Sequence, residues 1–161
     1  MYTELNVAKL LENGEVLTNV EGNTVEEVYK NVCKKIRLPE ELSGDVLCDE
    51  LLEREKILST AVGQGISIPH SRRPLLKDPE NQRIIVCFLK NQMNMNAPDS
   101  RRVFVMFILL SSSSQNHIKA LSALAKLLHN KQFLNFLQLT PGKRELLEAV
   151  EKFSIPDSQE S

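Results

Sequence analysis

The sequence predicts an α/β fold, a three-layer α/β/α sandwich with a central mixed sheet between two layers of helices. Two observations carry this prediction. The segment Val103–Leu110 is apolar throughout, as expected for a central strand that is covered on both faces. Segments with apolar residues at helical spacing lie before and after it in the chain, and they supply the covering layers.

Length and composition predict one domain at residues 1–153 and a flexible C-terminal tail at residues 154–161. The chain has 161 residues, of which 42% are hydrophobic and 25% are charged, as in ordinary globular domains. Its 20 basic and 21 acidic residues give a net charge of -1, which argues against a nucleic-acid partner. Because the N-terminus has no leader pattern and the longest apolar run is too short to span a bilayer, we expect no membrane insertion and a cytoplasmic location.

The cysteines argue against a disulfide framework and against a thiolate zinc site. Cys33, Cys48 and Cys87 are odd in number and show no Cys-x-x-Cys spacing. We therefore expect three free thiols in a reducing compartment.

The chain is predicted to begin with a short helix and a strand. The helix is indicated by apolar residues at helical spacing: Leu5, Ala8, Leu10 and Leu11. The strand is predicted at residues 16–20, which lie between Gly14 and Gly22.

A second helix follows, and its N-terminus is marked by a capping box. Thr24 and Glu27 have the spacing of that motif, and the helix is expected to end before Pro39. Residues 40–49 are then predicted as a loop, and residues 50–57 as a short helix.

Strands are predicted in the middle of the chain and helices at its end. Residues 59–65 are predicted as a turn, with strands at residues 66–68 and 83–90 before the central strand. Ser114 is the predicted N-cap of a helix that extends to residue 128. A short helix is indicated by Phe133, Phe136 and Leu137, and Thr140-Pro141 predicts the N-terminus of a last helix that extends to residue 153.

His70 is the leading candidate for chemistry. Gly63 and Gly65 permit turn conformations closed to other residues, and Pro69 has no amide hydrogen for a sheet, so the chain should leave the sheet at His70. A neutral imidazole is nucleophilic near pH 7, and a phosphoryl group that it binds through a P–N bond is readily transferred onward. Taken alone, His70 is equally well explained as a hydrogen-bonded histidine at a strand end.

His117 and Arg54 are the candidate partners of His70 in phosphoryl handling. A phosphoryl group in transfer spreads negative charge over its oxygens, so it needs donors such as a second imidazole, a guanidinium and helix N-terminal amides. His117 is predicted in the first turn of its helix, and Arg54 precedes the His70 motif. The alternatives are a helix residue on the apolar stripe for His117, and a solvated helix residue paired with Glu50 or Glu55 for Arg54.

Further basic residues suggest a rim that would attract an acidic or phosphorylated partner despite the nearly neutral total charge. They are Arg72, Arg73, Arg101, Arg102 and Lys119. The alternative is a scattered set of solvated surface charges.

Other kinds of site lack support in the sequence. A zinc site on His70 and His117 would need a third ligand, and no His-x-x-x-His, Glu-x-x-His or cysteine pair supplies one. There is no Gly-x-Ser-x-Gly elbow for a serine hydrolase, and Gly63-x-Gly65 alone is too short for a nucleotide loop. We therefore predict no metal and no bound cofactor.

Together, these motifs resemble the enzyme IIA domains of the bacterial phosphoenolpyruvate-dependent phosphotransferase system, of the fructose/mannitol and nitrogen-regulatory type. Arg54-Glu55 followed by STAVGQGISIPH at residues 59–70 is similar to that family's phosphorylation-site signature. Residues 97–103 are similar to the segment that leads into the family's central strand, and residues 117–125 to its second-histidine helix.

The resemblance implies a role for each candidate residue. His70 matches the family's phosphorylated histidine, His117 the auxiliary histidine that orients the phosphoryl group, and Arg54 the arginine that stabilises it. The sequence departs from the family pattern at three nearby positions: Gln64, Ser67 and Ser71. It does not indicate which imidazole nitrogen is phosphorylated.

The function that the resemblance implies is a cytoplasmic phosphocarrier, a phosphotransferase component that accepts a phosphoryl group from phospho-HPr on His70 and acts in regulation or onward transfer. The expected partners are an HPr-type phosphocarrier protein and a IIB domain or regulatory target. A chain of this length with no IIB or IIC segment favours the nitrogen-regulatory branch. The alternative is a binding module of the same fold that docks on a partner independently of phosphorylation.

Overall fold

A computed structural model describes residues 6–154 and shows a five-stranded sheet between two layers of helices. The strands are β1 (Val16–Val20), β2 (Ala61–Gly63), β3 (Ile66–Ser67), β4 (Arg83–Met93) and β5 (Val103–Leu110). The α-helices are α1 (Val7–Asn13), α2 (Val25–Lys35), α3 (Gly44–Ile57), α4 (Ser114–Leu128), α5 (Lys131–Leu137) and α6 (Lys143–Ser154). A short 3-10 helix, Pro79–Asn81, precedes β4.

The sheet is mixed, as predicted, and β5 lies at its centre. The strand order is β1-β4-β5-β3-β2. β4 runs antiparallel to β5, whereas β3 runs parallel to β5 on its other side. The edge strand β2 pairs antiparallel with β3, and the other edge strand, β1, pairs parallel with β4.

Alternate residues of β5 enter two separate hydrophobic cores. Val105, Phe107 and Leu109 face the core formed with α1, α4, α5 and α6. Met106, Ile108 and Leu110 face the core formed with α2 and α3. All six side chains are at most 2% exposed, so β5 is covered on both faces and the predicted three-layer sandwich is confirmed.

Helix α3 is longer than predicted, because it includes six of the ten residues that were expected to form a loop. It begins at Gly44, and the Ser43 side chain caps it by accepting a hydrogen bond from the Val46 amide at 3.1 Å. Leu47 in its first turns is completely buried. The prediction of a loop at residues 40–49 is therefore wrong for residues 44–49, where a cap and one buried leucine outweigh a weak apolar pattern.

The segment predicted as a turn at residues 59–65 contains strand β2. Ala61–Gly63 pairs with β3, and the turn of this hairpin lies at Gln64 and Gly65, whose φ angles are 58° and 82°. The strand predicted at residues 83–90 continues to Met93, because β5 pairs with it there.

The N-termini of two helices differ from the predicted positions. Ser113, not Ser114, caps α4, and its side chain accepts from the Asn116 amide at 3.1 Å. Thr140 has a φ of 48°, which is unlike the extended backbone of an N-cap, and α6 begins only at Lys143.

The ends of the described chain bear on two further predictions. Ser154, predicted as the first residue of the tail, is the last residue of α6. Leu5 and the predicted tail at residues 155–161 lie outside the described residues. Within residues 6–154, no helix has the length and apolar content needed to cross a bilayer.

Candidate functional site

The two histidines predicted for the site lie side by side at one edge of the sheet. The ring centroids of His70 and His117 are 4.7 Å apart, and the ring planes are inclined by 46°. The topology explains this contact. Because β3 and β5 are parallel neighbours, their carboxyl ends lie side by side at the same end of the strands. His70 follows β3, and α4, which follows β5, places His117 in its first turn.

The chain leaves the sheet at His70, as the proline context predicts. The Leu109 amide donates to the Pro69 carbonyl at 2.9 Å, so pairing with β5 continues up to the residue before the histidine. His70 itself is half-buried and lines an open cavity. Pro69 thus ends the ladder where the side chain meets solvent.

A hydrogen bond determines the tautomer of His70. Its Nδ1 atom lies 2.8 Å from the Ile68 carbonyl oxygen. A carbonyl oxygen can only accept, so the geometry assigns the proton of the neutral ring to Nδ1 and leaves the lone pair on Nε2. His70 is therefore a hydrogen-bonded strand-end histidine and still has one nucleophilic nitrogen.

Arg54 lies in the last turn of α3 and lines the same cavity as the histidines. Its Nη1 atom donates to the Leu58 carbonyl at 2.5 Å. The two glutamates proposed as alternative partners bind other groups: Glu50 accepts from Arg73 at 3.2 Å, and the carboxylate of Glu55 accepts from Tyr29 and Thr60. The guanidinium is thus held at the end of α3, near the histidine pair.

The open cavity around the histidines has a volume of about 500 Å³. Its walls come from the end of α3, the segment after β3 and the start of α4. All three candidate residues, His70, His117 and Arg54, line it.

The basic rim is present only in part. Arg72 and Arg73 line the cavity. Arg101 instead binds the β2–β3 turn, where its Nη1 donates to the Gln64 Oε1 at 3.0 Å and its amide donates to Asp99 at 3.1 Å. Among the residues described, the cavity lining thus includes Arg54, Arg72 and Arg73, whereas Arg102 and Lys119, the other members of the predicted rim, do not line it.

The environment keeps both imidazoles neutral at pH 7. Burial lowers the pKa of His70, and the positive charge of Arg54 lowers it further, against the raising effects of the Ile68 hydrogen bond and of Glu55. Burial also lowers the pKa of His117, with additional lowering by His70 and Arg54. A neutral ring is the form that has a nucleophilic nitrogen.

Sequence reasoning missed the apolar border of the cavity. Ile57, Leu58 and Ile118 line it and are 60%, 68% and 65% exposed. The signal was present in the sequence, because Ile57 and Leu58 are apolar residues three and four positions after the candidate Arg54. Exposed apolar side chains next to charged ones, as here beside Arg54, Arg72 and Arg73, are a feature of protein-docking surfaces.

Comparison with known proteins identifies the family. Residues 9–153 match the family described as "Phosphoenolpyruvate-dependent sugar phosphotransferase system, EIIA 2". A nitrogen regulatory protein of Pseudomonas aeruginosa is 27% identical over 150 residues, which cover 91% of this chain and 95% of that protein. A nitrogen regulatory protein of Klebsiella oxytoca is 32% identical over 111 residues, which cover 68% of this chain and 67% of that protein.

A solved structure shows the same fold. The nitrogen regulatory protein IIA-Ntr of Neisseria meningitidis superposes with a TM-score of 0.74 at 26% identity, and the match covers 89% of this chain and 98% of that chain. The predicted resemblance is thus confirmed. The chain belongs to the enzyme IIA family of the phosphoenolpyruvate-dependent sugar phosphotransferase system and is of the nitrogen-regulatory type.

Proposed function

We propose that this chain is a cytoplasmic phosphocarrier that accepts a phosphoryl group on Nε2 of His70 from the phosphohistidine of an HPr-type protein. The observation that carries the proposal is the bond from Nδ1 to the Ile68 carbonyl, which leaves the Nε2 lone pair free beside a cavity. This lone pair forms the new P–N bond, while the P–N bond of the donor breaks and its electron pair returns to the donor imidazole.

His117 and Arg54 have supporting roles in this proposal. The His117 ring lies 4.7 Å from His70 and orients the phosphoryl group through a ring nitrogen. Arg54 contributes the positive charge that stabilises the phosphoryl oxygens during transfer. Since both groups line the cavity with His70, their effect is strongest on a group carried by that histidine.

The border of the cavity supports a protein as the phosphoryl donor and regulatory target. Exposed Ile57, Leu58 and Ile118 provide apolar contact, and Arg72 and Arg73 provide positive charge. A phosphoryl group at His70 adds negative charge in the middle of this surface, so it changes which partner docks there. Such a change is a means of regulation.

The test is incubation of the purified chain with phosphoenolpyruvate, enzyme I and HPr, followed by intact mass measurement. The expected result is one acid-labile phosphoryl adduct. It should disappear in His70→Ala and persist in His129→Ala, a matched control because His129 caps the far end of α4. An adduct that persists in His70→Ala would contradict the proposal.

The exposed apolar border also favours a second candidate function, a binding module that docks independently of phosphorylation. Pull-downs of partners distinguish the two. Capture that is unaffected by phosphorylation and by His70→Ala would support the binding module, whereas capture that changes with either one would support the phosphocarrier.

A further inference from the structure

Glu55 occupies an unusual position for an acidic residue. It lies in the last turn of α3, next to Arg54, where the negative end of the helix dipole disfavours a carboxylate. Three hydrogen bonds offset this: Oε1 accepts from the Tyr29 hydroxyl at 2.8 Å and from the Thr60 hydroxyl at 2.7 Å, and Oε2 accepts from the Thr60 amide at 2.8 Å. Hydrogen bonds to an ionised carboxylate are stronger than neutral ones.

The two donors to Glu55 are shielded from water. Tyr29 of α2 is 0% exposed, and Thr60 is 5% exposed. Burial and the charge of Glu55 raise the pKa of Tyr29 far above its usual range, so its hydroxyl keeps its proton and remains a donor. The carboxylate thus joins α2, the end of α3 and the connection to β2.

A continuous series of hydrogen bonds leads from this carboxylate to the imidazole of His70. The Thr60 carbonyl accepts from the Ile68 amide at 2.9 Å. The Ile68 carbonyl in turn accepts from Nδ1 of His70 at 2.8 Å. Arg54 also binds this connection, at the Leu58 carbonyl, so the segment that Glu55 holds carries the anchors of two candidate site residues.

We propose that Glu55 is a positioning residue for His70: its carboxylate holds Thr60, Thr60 holds Ile68, and the Ile68 carbonyl selects the tautomer of His70 with a free Nε2. The consequence for phosphoryl transfer rests on the proposed function. The link to the tautomer does not, because it exists in the unphosphorylated protein.

Glu55 also affects the titration of His70. Around this imidazole lie Arg54 and Glu55 from α3, His117 from α4, and Arg72 and Arg73 from its own segment. The negative charge of Glu55 raises the pKa of His70, against burial and Arg54. Removal of that charge therefore lowers this pKa further.

The decisive variant is Glu55→Gln, which keeps the shape of the side chain but replaces one acceptor oxygen with an NH₂ group. We expect imidazole ¹⁵N shifts of His70 to show less of the Nδ1-protonated tautomer and a lower pKa than in the wild type. If the proposed function also holds, phosphorylation by phospho-HPr slows by about ten- to a hundredfold.

Glu53→Gln is the matched control. Glu53 lies in the same turn of α3, but its side chain is 66% exposed and pairs with Lys56 at 3.1 Å. The control removes the same charge without touching the buried hydrogen bonds, so the tautomer and the phosphorylation rate should stay at wild-type values. If Glu53→Gln shifts the tautomer as much as Glu55→Gln, the proposal is overturned.

Two further results decide the remaining cases. A folded Glu55→Gln with wild-type tautomer and pKa at His70 overturns the positioning role, whatever the phosphorylation rate.

If Glu55→Gln does not fold, Thr60→Val removes one donor to the carboxylate and should move the tautomer in the same direction by a smaller amount. An unshifted Thr60→Val would then overturn the proposal, whereas failure of the wild type to accept a phosphoryl group would overturn only the proposed function.

Discussion

At the scale of single residues, the chemistry of His70 depends on its contact with its own backbone. The Ile68 carbonyl lies two positions earlier in the chain, and it occupies Nδ1. Burial and Arg54 lower the pKa of the same ring. Both effects favour a neutral imidazole with a lone pair on Nε2, which is the form that attacks phosphorus.

The lowered pKa of His70 predicts a pH dependence of stability. An unfolded histidine titrates near pH 6.5, whereas folded His70 takes up its proton only at a lower pH. The contribution of this group to folding is therefore complete above about pH 6.5 and is lost as the pH falls through the folded pKa. We expect the free energy of unfolding of the wild type to decline relative to that of His70→Gln over this range.

Urea unfolding at a series of pH values measures this difference. If the free energies of unfolding of the wild type and of His70→Gln change in parallel with pH, the pKa of His70 is the same in the folded and unfolded states.

Ser67 predicts a stabilising substitution. Its side chain is 0% exposed, and its Oγ makes no hydrogen bond to the residues that the structure describes. A buried hydroxyl without a partner is costly, so Ser67→Ala should raise the free energy of unfolding by about 1 kcal/mol. Urea titration measures the change.

The control for Ser67→Ala is Ser71→Ala in the same motif. The Ser71 hydroxyl donates to the Arg73 carbonyl, so its removal should not stabilise the chain. A loss of stability in Ser67→Ala would mean that its hydroxyl has a partner in solution.

At the scale of elements, apolar periodicity predicted where most helices and strands lie, but contacts decided where they begin. Thr24 caps α2 as the sequence predicts, because Thr24 and Glu27 carry the local signal. The start of α3 was missed, since Leu47 becomes informative only when it is buried against α2 and the sheet. Strand β2 was missed for a similar reason: its short segment is a strand only because it pairs with β3.

The capping of α4 can be tested with two adjacent serines. The Ser113 side chain accepts from the Asn116 amide, whereas Ser114 is the first helical residue. Ser113→Ala should lower the free energy of unfolding by about 1 kcal/mol, and Ser114→Ala by much less. Chemical denaturation of both variants provides the measurement, and a larger loss in Ser114→Ala would restore Ser114 as the cap.

At the scale of the whole molecule, the sheet couples the two hydrophobic cores. Successive residues of β5 enter opposite cores, so neither core can lose its packing without disturbing the other. We predict that the chain unfolds in one cooperative transition, in agreement with the prediction of a single domain at residues 1–153. The calorimetric and van't Hoff enthalpies should then be equal, and two separate transitions would contradict the prediction.

The sequence by itself determined the fold class, the family and the positions of His70, His117 and Arg54 as candidates. These depend on patterns within short segments: the apolar run of β5, the capping box of α2 and the glycine and proline context of His70. Each pattern can be recognised from the sequence because the residues that produce it are neighbours in the chain. The roles of the three residues in phosphoryl transfer remain predictions.

Only the tertiary structure decided which of these groups meet. The parallel pairing of β3 and β5 brings His70 to His117, and the Glu55 carboxylate binds Tyr29, which is 26 positions away in the chain. Such contacts arise when packing against two cores brings distant segments together, and no local pattern encodes them. For that reason the sequence identified His70 as the candidate histidine, whereas its tautomer, its neutral charge and the proposed positioning role of Glu55 depend on the folded chain.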